Sequence, residues 1–508
     1  MTEHPPEPVT VDEAPADIWD LAAAALVFFS SAAVLVVELV ALRLLAPYLG
    51  LTLETNTLVI GIALAAIAAG SWAGGRAADR IDPRLTLAPL LAISAVAVAL
   101  TPAVVRAAGL TGDRGLLLIA AAATIVVPGA LLSAVTPMVT KLRLTSLTAT
   151  GSVVGRLSGI STLGAIVGTV VTGFVLISAV PVSGILVGLG VALFVAAVIV
   201  ALAVRRGRSG ARPSTRAAAG CAALVVVAGA GSLTLPDGCD AETRYHCAAV
   251  VDDPENPTGR ILLLDGLRHS YVDLDDPTHL EFAYIRSMAA ALDAEFPGGG
   301  PLTAHHIGAG ALTLPHYLAA TRPGTASTVS EIDPGVVRID EDRLGAQVGP
   351  DLEVRVEDGR IGLDALPAGE HDLVVVDAFG GVSVPWHLTT REAVARVHAA
   401  LRPDGLYALN VIDRGPVAFA RAQVATLQTT FEHVAVASTP GTLAGTSGGN
   451  LVVLASDSPI DTQAWTAAMT ARDVEWHVLA GDDLDPWVGD SPVLTDDYAP
   501  VDQLLTPY

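Results

Sequence analysis

Seven apolar runs in the first 236 residues constrain this chain more than any other feature. They lie near 20–45, 54–75, 85–108, 115–138, 158–180, 182–204 and 217–235. Each has about 20 residues or more, enough to cross roughly 30 Å of hydrocarbon as a helix. A helix buried in a water-soluble protein is rarely apolar on every side. The pattern predicts a multi-pass α-helical membrane domain over 18–236, with about seven helices and the lipid bilayer as its partner. The acidic, Pro-rich residues before it, 1–17, are expected to form a disordered tail and lack the basic start of a cleavable signal.

Charge divides the chain at the same place. Up to Pro236 there are 11 acidic and 14 basic residues, and beyond it 41 acidic and 15 basic. Two solvents are implied, lipid first and water second. The acidic second part disfavours nucleic acid as a partner; it suits cationic ligands such as polyamines, or serves only to keep a surface solvated. Lys141 is the only lysine, which excludes a P-loop. The three cysteines, Cys221, Cys239 and Cys247, are too few for a disulfide scaffold or a zinc ribbon. Cys239 and Cys247 either pair in an oxidising compartment or stay reduced.

Arginine-rich loops after the second, fourth and sixth runs, such as "GGRAADRIDPR" and "RRGRSGARPSTR", place those loops and the N-terminus in the cytoplasm. Seven spans then put the C-terminal part outside the cell membrane, and six would leave it inside. "GSWAGGRAADRIDPR" resembles a loop of the major facilitator transporters. Glu38, inside the first run, is either a polar-pathway residue or is satisfied near the span's end. Small residues recur every four positions in "GRLSGISTLGAIVGTVVTG", which suits close helix packing.

Past Glu242 the periodicity changes. "TRYHCAAVV" and "GRILLLDGLRHSYVDL" read as strands and "THLEFAYIRSMAAALDA" as a helix; a small β-domain is expected over 237–282. From 283 to 508, strands and helices alternate: "TAHHI", "STVSEID", "LEVRVEDG", "DLVVVDAF" and "GLYALNVID". That alternation predicts a Rossmann-like, class I methyltransferase-type α/β domain with a mostly parallel sheet. "HVAVAS" and "NLVVLAS" read as an antiparallel hairpin at its edge.

Ligands bind such sheets at the carboxyl ends of the strands. Here those ends carry Gly308 and Gly310, then Glu331, Asp358 and Asp377 in turn. Glycines let a backbone approach a ligand, and an acid after the second strand can accept hydrogen bonds from both ribose hydroxyls. Together they form a candidate nucleoside pocket. His305, His306 and His316 show no metal-ligand spacing and read as packing or surface residues, and no metal is expected. Asp496 and Asp497 either close over the site or cap a turn.

The stretches "LLLDGLRHSY", "LEFAYIRSM", "EIDPG", "EDGR", "VVVDAF" and "LTDDYAP" resemble the spermidine synthase (polyamine aminopropyltransferase) family, in its membrane-fused, spermidine-synthase-like branch. The resemblance covers about 240–505. It implies aminopropyl transfer from decarboxylated S-adenosylmethionine to an amine or polyamine, releasing methylthioadenosine. It assigns Gly308 and Gly310 to the methionine-derived part, Glu331 to the ribose, Asp358 to the adenine amine, and Asp377 to binding and deprotonating the attacking amine. Tyr284 and His246 become candidate substrate contacts, and a homodimer is left open. The chain departs from the family where Ala311, Gly380 and Arg286 replace acids, and Arg286 suggests a ligand carrying a carboxylate. Two alternatives stand beside this reading: an S-adenosylmethionine-dependent methyltransferase, and a non-catalytic polyamine or nucleoside transporter or sensor.

Overall fold

The computed structural model describes residues 18–49, 53–144, 150–206, 215–235, 238–381 and 383–505. The expected N-terminal tail and most of the basic loop at 207–214 lie outside them. The chain forms two compact units, Met1–Leu45 with Asn56–Asp237, and Ala46–Thr55 with Gly238–Tyr508.

Among the described residues, six helices are long and apolar enough to cross a membrane: Asp20–Tyr48, Leu53–Arg80, Pro83–Gly109, Arg114–Arg143, Thr150–Ala179 and Val182–Val204. The last apolar run forms a helix over Thr215–Thr234, and its apolar part, Ala219–Thr234, is shorter than the others. Small residues let the helices approach. A Cβ built on Gly164 would lie 2.3 Å from the Phe28 carbonyl oxygen, and one on Gly168 would lie 2.7 Å from that of Ala32. On another helix Gly70 is equally tight, 2.2 Å from the Ala130 oxygen, so each of these positions needs glycine. Arg106 is buried and donates to the Ser232 carbonyl at 2.6 Å and to Ser183 Oγ at 2.7 Å. Asp82 caps the third helix through the Arg84 N–H, with Pro83 at its first turn. Lys141 pairs with Asp79 at 3.0 Å. Glu38 is half-buried.

The second unit holds two sheets. Strands β1 (Ala241–Glu242), β2 (Cys247–Asp252), β3 (Gly259–Leu264) and β4 (Leu267–Asp273) form an antiparallel sheet in chain order. The sequence showed one long strand where β3 and β4 form a hairpin. The turn is Asp265–Gly266, at φ 51° and 78°, the positive-φ pair that a two-residue hairpin needs. Cys239 and Cys247 are joined by a disulfide, with Cα atoms 5.3 Å apart.

Strands β5 (Thr303–Ile307), β6 (Ala326–Glu331), β7 (Leu352–Val356), β8 (His371–Val376) and β9 (Leu401–Asp413) are parallel neighbours in the second sheet. β10 (His433–Ser438), β11 (Gly449–Ser456) and β12 (His477–Ala480) extend it with antiparallel pairings. The order is β12-β10-β11-β9-β8-β5-β6-β7. The expected hairpin, β10 and β11, is therefore flanked by β12 instead of forming the edge. The central strands are apolar on both faces, as "HDLVVV" shows, because helices cover the sheet on both sides. Chain order reverses between β8 and β5, with β6 on the other side of β5. That reversal opens a crevice at the carboxyl ends of the strands.

Candidate functional site

A cleft of about 500 Å³ occupies that crevice, within the size range of small-ligand sites. His246, Tyr284, Gly308, Gly310, Glu331, Asp358 and Asp377 all line it. The strand tips therefore converge as the alternating pattern requires.

The glycine loop is held from two sides. Gly308 sits at φ 94°, and a Cβ there would lie 2.4 Å from the Asp377 carbonyl oxygen. Gly310 sits at φ 52°, with Ser270 Oγ 2.4 Å from its would-be Cβ. Ser270, on β4, also accepts from the Ala311 N–H at 3.1 Å. The loop therefore needs glycine both for its positive φ and for the closeness of its neighbours.

Glu331 ends β6 and accepts from the Ala309 N–H and the Asp333 N–H, each at 2.8 Å. Burial raises its pKa and these two bonds oppose the rise. Each carboxylate oxygen keeps lone-pair capacity for a ligand hydroxyl. Asp358 caps the helix Gly359–Asp364 through the Arg360 N–H. Its other oxygen lies 3.1 Å from His387 Nε2. Asp377 ends β8. Burial raises its pKa, while hydrogen bonds from Asn410 and Tyr284 counter this. Asn410 Nδ2 donates to Asp377 Oδ1 at 2.8 Å, and Asn450 Nδ2 donates to Asn410 Oδ1 at 3.0 Å. His246 Nδ1 lies 2.8 Å from Asp265 Oδ2. Its neighbour His269 is pushed down to about 4, by burial first and His246 second.

No protein-family model matches the chain. A polyamine aminopropyltransferase of Vibrio vulnificus (strain CMCP6) is 29% identical over 149 residues, 28% of this chain and 49% of that protein. The chain thus spans about half the length of the curated relative it matches. A probable spermidine synthase from Corynebacterium glutamicum ATCC 13032 is 25% identical, over 53% of this chain and 98% of that one, with a TM-score of 0.48. The spermidine synthase from Thermotoga maritima is 15% identical, over 51% and 80%, with a TM-score of 0.33.

The chain is similar to the spermidine synthases.

Several residues of this cleft escaped sequence reasoning. Asn410, Asn450 and His387 line the cleft; Asn410 holds Asp377, His387 holds Asp358, and Asn450 holds Asn410. The one available signal was an Asn inside the otherwise apolar "LYALNVI", since a buried polar strand residue needs a partner. Arg286 corrects an expectation. It donates to the Arg472 carbonyl at 2.9 Å and is not among the cleft's lining residues. Two residues along the helix Ala283–Glu295 turn the chain by about 200°, so Tyr284 and Arg286 point apart. A carboxylate-bearing ligand therefore has no support from Arg286. Ala311 is also turned away from the cleft, into an apolar cluster with Leu262, Val272 and Val336.

His305 is fully buried and meets His371 edge-on at 6.2 Å between ring centroids. Among the described residues, no group of three His, Cys, Asp or Glu side chains is placed to hold a metal ion. Asp496 does not reach into the cleft. It pairs with Arg360 at 3.0 Å and accepts from Thr390 at 2.6 Å, which anchors the segment beside Asp358.

Proposed function

We propose that the chain is a membrane-bound, spermidine-synthase-like transferase that moves an aminopropyl group from decarboxylated S-adenosylmethionine to an amine. The observation that carries this reading is the meeting of Glu331, Asp358 and Asp377 in one cleft with the glycine loop. The co-substrate is an adenosine bearing a sulfonium. In this reading Glu331 accepts hydrogen bonds from the ribose hydroxyls, Asp358 takes the adenine amine, and Gly308 and Gly310 pass beside the aminopropyl arm.

Asp377 then acts on the acceptor. An ammonium has no lone pair, so a proton must leave nitrogen before attack. A carboxylate whose pKa is raised by burial is a better proton acceptor than a solvated one. Asn410 and Tyr284 fix its orientation, and the freed lone pair forms a bond to the carbon beside sulfur. The sulfur–carbon bond breaks, its electron pair stays on sulfur, and methylthioadenosine leaves uncharged. Loss of the sulfonium charge needs no further partner in the cleft. Tyr284 and His246 flank the acceptor's approach. The acceptor is a small amine or polyamine, to which the acidic surface of this part contributes attraction.

The six apolar helices support attachment to the cell membrane. The Cys239–Cys247 disulfide supports a location for the second unit in an oxidising compartment, which requires the shorter helix Thr215–Thr234 to cross as a seventh span.

The test uses the full chain in detergent micelles. Methylthioadenosine release from decarboxylated S-adenosylmethionine is followed with a panel of mono-, di- and polyamines. Release with at least one amine, lost in Asp377→Asn while methylthioadenosine still binds, supports the proposal. A wild-type protein that binds methylthioadenosine yet releases none with any amine overturns transfer and leaves a binding protein. Transfer of a labelled methyl group from S-adenosylmethionine would favour the methyltransferase instead.

A further inference from the structure

Two stretches that stand out in the sequence meet inside the first unit. "GSWAGGRAADRIDPR" closes the second apolar helix, and "GRLSGISTLGAIVGTVVTG" lies on the fifth. With parts of the first and fourth helices they enclose a cavity of about 720 Å³, within the range of small-ligand sites. Along the second helix its wall runs from Ile67 to Asp79. That interval rises about 18 Å, more than half of a hydrocarbon core of about 30 Å.

The wall is rich in hydroxyls. Ser31, Ser71, Ser133, Thr136, Ser158 and Thr162 line it. Among the described residues none of these hydroxyls is sealed and unpaired, and Ser71, Ser158 and Thr162 are exposed. Ser31 and Ser161 join the first and fifth helices through their hydroxyls at 2.7 Å. Thr140, also in the wall, and Thr162 donate to carbonyls one turn back, at 2.9 and 3.1 Å. Their oxygens keep lone pairs for an incoming N–H. Hydrocarbon offers hydroxyls no partner, so a wall of this kind suits water and a polar solute.

One pair of charges stands in the same wall. Lys141, the only lysine of the chain, meets Asp79 at 3.0 Å, and both line the cavity. Among the described residues no other charged side chain lines it. The two side chains are 51% and 70% exposed, and so solvated an ion pair is weak. A ligand can open it at little cost. A plain cation meets Lys141 as a like charge, and a plain anion meets Asp79 in the same way. A molecule with both charges exchanges one weak pair for two.

We propose that this cavity binds a small zwitterion, an ammonium and a carboxylate on one short carbon skeleton. Asp79 receives the ammonium, Lys141 receives the carboxylate, and the hydroxyl wall takes the remainder of the molecule. The site lies within the first unit and stands independently of the transferase reading.

The test uses the full chain carrying Cys221→Ser, in open membrane fragments without reductant, so that Cys239 and Cys247 stay joined. Ser71→Cys puts a thiol in the cavity wall. Ala69→Cys puts one on an exposed surface outside the cavity, about 200° around the same helix. A charged thiol reagent should label Ser71→Cys at least about tenfold faster, because the reactive thiolate forms in water and not in hydrocarbon. L-serine is the probe ligand. It should slow labelling of Ser71→Cys at least about threefold, the effect of roughly two-thirds occupancy. Asp79→Asn and Lys141→Met should each remove this protection, and Lys141→Arg, which keeps the charge, should retain it. Equal labelling of the two thiols shows that no open cavity exists and overturns the site. Labelling that L-serine does not slow, protection by sorbitol or spermidine in its place, or protection that survives both Asp79→Asn and Lys141→Met overturns the zwitterion.

Discussion

Asn410 Nδ2 and Asp377 Oδ1 lie 2.8 Å apart at the tips of adjacent parallel strands. The amide donates to the carboxylate and so favours its ionised form against the burial that raises its pKa. Removing the donor moves that balance in one direction. Asn410→Leu is expected to shift the rising, acidic limb of the kcat/KM profile for methylthioadenosine release up by about one pH unit. The sign follows because Asp377 must be ionised to accept a proton. An unmoved limb would show that Asp377 does not titrate in turnover.

Asp358 has two tasks that substitution can separate. Its side chain caps the helix Gly359–Asp364 and faces the cleft. Asparagine keeps the cap, so Asp358→Asn should weaken methylthioadenosine by about tenfold with little change in Tm. Asp358→Ala should add about 1 kcal/mol of destabilisation through the lost cap. Unaltered affinity in both variants removes Asp358 from the pocket.

Gly308→Ala tests the loop geometry without touching a charged group. The new methyl group would meet the Asp377 carbonyl, a backbone atom that cannot swing away. With φ at 94°, a destabilisation of about 1–3 kcal/mol is expected. Chemical denaturation measures it, and a neutral outcome contradicts the observed approach.

Asp340 is fully buried and neither carboxyl oxygen has a partner. Burial drives its pKa well upward, with Glu331 and then Glu341 adding to the rise. Below about pH 3.9 folded and unfolded chains both hold this proton, and the group has no effect on stability. Above that pH the unfolded chain releases the proton first. Stability then falls as pH rises, by up to about 1.4 kcal/mol per unit, until the folded pKa is passed. Asp340→Asn should lack this fall. Denaturation of both proteins between pH 4 and 8 checks it, and parallel curves would refute it.

Cys239 and Cys247 report on which side the second unit lies. In intact cells, an impermeant thiol reagent should label them only after an impermeant reductant has opened the disulfide. Cys221→Ser removes the remaining thiol. Labelling without reductant contradicts the disulfide, and labelling only after lysis contradicts the external placement. Its cause would then be sought in a count of six spans.

Much of this architecture was legible in local patterns. A run of about 20 apolar residues is long enough to cross a bilayer as a helix, whatever its neighbours do. Alternating strands and helices force a parallel sheet, and residues at strand ends must then gather at one rim. Gly308, Gly310, Glu331, Asp358 and Asp377 were visible for that reason, and so was the close packing of Gly164 and Gly168.

The tertiary structure decided which way side chains face and what they touch. Arg286 turned from the cleft because helix rotation, not sequence spacing from Tyr284, sets its direction. Ala311 went into the core because the small sheet packs beside the glycine loop. Asn410, Asn450 and His387 joined the site through partners 29 to 40 positions away in sequence. Periodicity is a property of neighbours along the chain and can be read from it. Register, rotation and burial arise from contacts between distant segments, so they exist only once the chain has folded.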